Sequence, residues 1–225
     1  MKWAWAGTWI LLCSTFAMAE ASSPDRKYLI AYLSRTNNTK AIAEIIHGFV
    51  GGDLVALELL NPYPKEYKKI VDQVAKENET GFLPPLKTRI DGMSTYDVVF
   101  VGFPTWGMEL PPPVKSFLSQ YDLGGKTVVP FNTNAGYGVG NAIQTLKALC
   151  PRSVVLDGFS TQGGVERDGI SFVISGQKEK RIRAEVKQWL QKIGMSSSHK
   201  LERNKKLRFT PDSIDGRDDE TQILR

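Results

Sequence analysis

The chain has 225 residues, 41% of them hydrophobic and 24% charged, and a formal net charge of +5. This is ordinary globular composition, and the length fits one α/β domain with extra segments at both ends. Lysines and arginines are interspersed with acids, so no basic block marks a nucleic-acid surface.

The first element is a leader. Lys2 precedes an uncharged apolar stretch from Trp3 to Phe16, and Ala17-Met18-Ala19 places small residues where a signal peptidase reads. Residues 1–19 are expected to be removed and the protein exported. The stretch is shorter than the roughly 20 apolar residues a membrane span needs, so no anchor is expected after cleavage. Leu12 before Cys13 argues against a lipoprotein. The leader has no Arg-Arg pair, so export is expected to pass an unfolded chain, and any cofactor is captured afterwards. Cleavage leaves Cys150 as the one cysteine, which rules out an internal disulfide and reads as a buried small hydrophobe. His47 and His199 lie too far apart for a ligand pattern, and no metal site is expected.

The next elements follow in order. Lys27–Leu33 reads as a buried strand, and Ile42, Ile45, Ile46 and Phe49 mark a helical face over Ala41–Phe49. Asp53–Leu59 is a second strand. The long connection Asn61–Gly92 holds a polar helix over Glu66–Glu79. Tyr96–Gly102 is continuously apolar, as a parallel sheet covered on both faces requires. A helix opened by prolines spans Leu110–Gln120. Lys126–Phe131 and Ser153–Phe159 are strands around a helix at Gly140–Leu149. Gln177–Ile193 is the last helix, with Ile182, Val186, Trp189, Leu190 and Ile193 on one face. Five strands alternating with helices predict a doubly wound parallel α/β sheet over residues 20–195. Residues 196–225 turn polar and read as a mobile tail.

In such sheets ligands bind beyond the carboxyl ends of the strands. Three loops there carry unusual chemistry. Ser34-Arg35-Thr36-Asn37-Asn38-Thr39 brings hydroxyls and helix-start N–H groups toward one anion, and the same residues also suit plain capping. Pro104-Thr105-Trp106-Gly107 offers a flat apolar face. Asn132-Thr133-Asn134-Ala135-Gly136-Tyr137-Gly138 combines glycines that allow close approach with a second ring. Together the loops describe a pocket for a phosphate joined to a planar ring.

These residues, with Leu110-Pro111-Pro112-Pro113-Val114 and the insertion residues Tyr63-Pro64, Tyr67, Gly81 and Pro84, resemble the flavodoxin family from about Lys27 to Ile193. The resemblance implies a flavodoxin-like three-layer sandwich that binds FMN. Ser34, Thr36 and Thr39 would hold the phosphate, with Arg35, Asn37 and Asn38 in the same loop. Trp106 and Tyr137 would flank the isoalloxazine. Pro104, Thr105, Gly107, Asn132, Thr133, Asn134, Gly136 and Gly138 would complete the site. No side chain need act as an acid or base. Two positions depart from the family pattern: Asn37 stands where glycine is usual, and Met108 where many relatives carry the glycine near the ring. Two functions follow. One is an exported redox protein serving a partner protein or a small-molecule acceptor; the other is a binding module that keeps the fold without FMN.

Overall fold

The computed structural model of the protein describes residues 26–195. The expected leader, residues 1–19, and the expected tail, residues 196–225, lie outside the described residues. Strands β1 (Tyr28–Tyr32), β2 (Asp53–Ala56), β3 (Val98–Pro104) and β4 (Thr127–Asn134) run parallel in the order β2-β1-β3-β4. Beyond β4 lie two short segments, β5 (Val154–Val155) and β6 (Phe159–Gln162), both parallel to it.

Alternation along each strand builds two cores. Leu29, Ala31, Val99, Val101, Phe103 and Val128 face α3 (Pro112–Gln120) and α4 (Ala142–Leu149). Ile30, Tyr32, Phe100, Val129 and Phe131 face α1 (Asn38–Val50) and α5 (Gly176–Lys192). Phe100, Phe103, Phe117 and Phe131 are fully buried. Each such side chain contributes about 1.5–3 kcal/mol of burial. Cys150 is buried against the first core, and burial pushes its thiol up to about 11, so it packs as a small hydrophobe.

The expected fifth strand, Ser153–Phe159, is broken, and its second half runs further than its composition suggested. Val128 pairs with Val155 and Phe131 with Phe159, so the fifth position carries one extra residue between these pairs. This is a bulge opposite Pro130. Leu156 N–H donates to Val128 O, which shows that even-numbered residues of β4 turn toward this side. Pro130 has no N–H to offer there, and the ladder breaks. The bulge is held from behind: Trp189 Nε1 donates to Asp157 O at 3.0 Å.

The insertion forms α2 (Tyr67–Thr80) and a return segment bridged to the chain after β2 by Leu59 and Leu86. Tyr63 OH donates to the buried Glu77 carboxylate, and Gln73 Nε2 donates to the same group at 2.8 Å. No helix among the described residues is long and apolar enough to cross a membrane.

Candidate functional site

The carboxyl ends of β1, β3, β4 and β6 open into one cleft. After β1 the chain reverses at Asn37, whose backbone is left-handed (φ 63°, ψ −1°). Asparagine tolerates this conformation better than other non-glycine residues, so α1 starts where a glycine would have started it. Ser34 Oγ accepts from Lys40 N–H at 3.2 Å; Ser34 caps the helix and does not line the cleft. The N–H groups of Thr36, Asn37, Asn38 and Thr39 find no acceptor among the described residues. They cluster at the positive end of α1.

Arg35 lines the cleft with its guanidinium already engaged by protein acceptors. Its Nε donates to Glu166 at 2.6 Å, and its other nitrogens donate to Pro64 O and Lys65 O at 3.1 and 2.7 Å. It therefore clamps the loop after β1 to the insertion and to the segment after β6. Asn38 makes a second clamp. It is buried, donates to Thr36 Oγ1 at 2.9 Å and Ser171 O at 2.6 Å, and accepts from Val173 N–H at 3.1 Å.

The loop after β4 is held by its own side chains. Asn132 is fully buried and donates to Phe103 O and Thr105 Oγ1. Asn134 Oδ1 accepts from the N–H groups of Gly136 and Gly138, closing a tight turn. Thr105 Oγ1 donates to Gly138 O at 3.0 Å. Thr133 and Thr39 share a buried hydroxyl–hydroxyl bond of 2.8 Å, which joins this strand to α1. Asn132, Gly136 and Gly138 thus shape the loop without lining the cleft. Tyr137 does not line the cleft either. It is 67% exposed, and its hydroxyl faces the Arg167 guanidinium, whose pKa is raised by Asp168 and Tyr137 together.

After β3, Trp106-Gly107-Met108-Glu109 forms a two-residue turn closed by paired backbone bonds between Trp106 and Glu109. Gly107 and Met108 both have positive φ (58° and 61°). For methionine this costs about 1–2 kcal/mol. The turn is docked at its far side: Asn141 N–H donates to Met108 O, and Gly140 packs so closely that a Cβ there would lie 2.0 Å from the same oxygen. Trp106 itself is half-buried, packs on the first core and meets Tyr63 edge-on. Gly107 does not line the cleft.

The cleft encloses about 120 Å³ and is lined by Arg35, Thr36, Asn38, Thr39, Pro104, Thr105, Trp106, Thr133 and Asn134 of the expected residues. Tyr67, Ala135, Gly163, Gly164 and Glu166 also line it and were not expected. Gly163-Gly164 directly after an apolar-to-polar strand was the available signal. It was obscured because the chain turns polar at Ser160-Thr161-Gln162, which made the strand look finished at Phe159. Among the described residues no group of acidic, histidine or cysteine side chains could hold a metal.

A family model described as Flavodoxin matches residues 27–175. A crystal structure of a Bacteroides eggerthii protein assigned as a flavoprotein is 32% identical, covers 75% of this chain and 98% of its own, and superposes with a TM-score of 0.59. A second such protein, from Bacteroides uniformis, is 24% identical, with 74% and 98% covered and a TM-score of 0.59. A Lactobacillus acidophilus flavoprotein in complex with FMN is 23% identical, with 65% and 99% covered and a TM-score of 0.54. The last two share the fold. Among curated proteins none matches the chain. The match over most of the described residues and the parallel sheet with helices on both faces place the chain in the flavodoxin family.

Proposed function

We propose that the chain binds FMN in this cleft and acts outside the cytoplasm as a redox protein, exchanging electrons with a partner protein or a small-molecule acceptor. The observation that carries the reading is the set of unpaired N–H groups at Thr36–Thr39. Backbone donors at a helix N-terminus are complementary to a phosphate. Thr36 Oγ1 already accepts from Asn38, so its own proton remains for a ligand oxygen. Arg35 and Glu166 neutralise each other at the cleft wall and keep an isolated carboxylate away from the phosphate.

The enclosed volume is smaller than the several hundred Å³ typical of a pocket that buries a whole ligand. It suits the phosphate end and leaves the planar ring to the rim, where Trp106 stands. FMN would supply the electron chemistry at its ring. The protein's part is to bind, orient and shield. Met108, Tyr137, Ile170 and Phe172 are exposed on the surrounding loops, which supports transfer to a docking partner or an apolar acceptor.

The test is a titration of apoprotein with FMN and with riboflavin. FMN is expected to bind one-to-one and give a yellow protein. Riboflavin, which lacks the phosphate, should bind at least about a hundredfold more weakly, since charge-assisted hydrogen bonds contribute roughly 1.5–3 kcal/mol each. A chain that retains no flavin once unbound FMN is removed would be the cofactor-free binding module instead.

Export rests on the leader. Protein recovered from outside the cytoplasm is expected to begin at or near Glu20 by mass spectrometry. Retention of residues before Trp9 would refute it.

A further inference from the structure

The insertion that carries α2 lends Tyr67 to the cleft lining, and two chains of contact run from it to Trp106. The first is direct. Tyr63 stands edge-on to the indole, with ring centroids 5.6 Å apart and planes at 77°. Its hydroxyl donates to Glu77, a buried carboxylate on α2 that Gln73 holds from the next turn. The second reaches the turn that bears Trp106. Lys115 Nζ donates to Asn78 Oδ1 at 3.0 Å and to Glu109 Oε2 at 3.1 Å, and Glu109 closes the Trp106 turn through backbone bonds. Neighbouring residues of one helix, Glu77 and Asn78, thus brace the indole and its turn. Tyr63 does not line the cleft. It lies behind the ring that does.

We propose that Tyr63 and Glu77 are positioning residues that fix the angle of the Trp106 indole at the rim of the cleft, so that the insertion sets how the aromatic wall meets a bound planar ring. The inference about a bound ring rests on the FMN reading; the inference about the indole does not. Burial and the Glu77 bond push the Tyr63 phenol upward, so it stays protonated and donates throughout the physiological range. A carboxylate acceptor makes that bond stronger than a neutral one. An edge-to-face contact is directional, which a purely apolar neighbour would not be.

The experiment compares Tyr63→Leu, Tyr63→Phe and Glu77→Gln in the full chain. In apoprotein, the near-ultraviolet circular-dichroism band that Trp106→Phe removes is the readout. Tyr63→Leu is expected to reduce that band by more than about half, and Tyr63→Phe to reduce it partly. Glu77→Gln should retain it, because the amide still accepts. An unchanged band in a folded Tyr63→Leu protein overturns the proposal. If that variant does not fold, Tyr63→Phe, which loses a single oxygen, decides it by the same band.

FMN affinity is the second readout. Tyr63→Leu should weaken binding about fivefold when Trp106 is present, and by less than about twofold in a Trp106→Ala background. Equal loss in both backgrounds would show that Tyr63 does not act through Trp106. Absence of FMN binding by the unsubstituted chain would refute the FMN reading, while the apoprotein band would still decide the positioning role.

Discussion

Asn38→Ala is expected to lower the unfolding midpoint of the apoprotein by about 5–10 °C and to weaken FMN binding more than about tenfold. The side chain is 3% exposed, and its polar atoms bond to Thr36, Ser171 and Val173. Truncation leaves a carbonyl and an N–H unpaired in a half-buried seam, at about 1–3 kcal/mol for each group that water cannot reach. A total of about 2–3 kcal/mol gives the stated shift for a domain of this size. The binding loss has a separate origin. Asn38 Nδ2 orients the Thr36 hydroxyl and ties the loop to Ser171, so the donors around the phosphate lose their fixed geometry. Asn38→Asp should be at least as damaging, because a carboxylate would face Ser171 O where a donor stood. Differential scanning fluorimetry beside a flavin titration checks both effects. A midpoint within about 2 °C of the parent would show that the seam does not depend on this residue.

Trp106→Ala is expected to weaken FMN binding about five- to tenfold and to raise the reduction potential of the bound flavin. Stacking adds roughly 0.5–1.5 kcal/mol beyond area burial, and an electron-rich indole face opposes negative charge on the reduced ring. The structure adds a term that a loop position alone does not suggest. Trp106 packs on the first core and against Tyr63, so its removal also costs apoprotein stability. That cost should be about 1–2 kcal/mol, below the roughly 3–5 kcal/mol of a fully buried tryptophan, because the indole is only half-buried. Apoprotein unfolding and a redox titration of the holoprotein separate the terms. A larger stability loss with an unchanged potential would place the indole away from the ring.

Most of the sheet was readable because its strands are covered on both faces. Val98–Pro104 is apolar throughout, and no other element produces so long a run with turn signals on either side. The expected fifth strand stops at Phe159 because its continuation, Ser160–Gln162, is wholly polar and carries no apolar run. The loops were also located by sequence, while the roles of single residues within them were less accessible. Ser34, Arg35, Asn132 and Asn134 are polar groups at strand ends, the composition of a binding site. Their partners, however, are Lys40, Glu166, Phe103 and the N–H groups of Gly136 and Gly138. Whether such a group faces a ligand or braces a loop depends on neighbours up to 131 positions away. Periodicity carries no information at that range. Glu166 was unreadable for the same reason, since its significance lies wholly in reaching Arg35.

The bulge opposite Pro130 has a consequence for how these molecules meet one another. Among the described residues the sheet has two outer borders, one of which, β2, is bonded at its carboxyl end by Thr88 Oγ1 on Ala56 O and Lys87 N–H on Glu58 O, and an unpaired border can template strand addition from a second chain. On one side β2 is only 4 residues long. On the other, β5 offers 2 residues and β6 offers 4, separated by an extra residue that shifts the register between them. A straight incoming strand can match one segment or the other, and its bonds fail at the step between them. A long continuous edge here would invite fibril-like stacking whenever local concentration rises. The interrupted border limits a straight intermolecular ladder on this side to the few bonds that one short segment supplies.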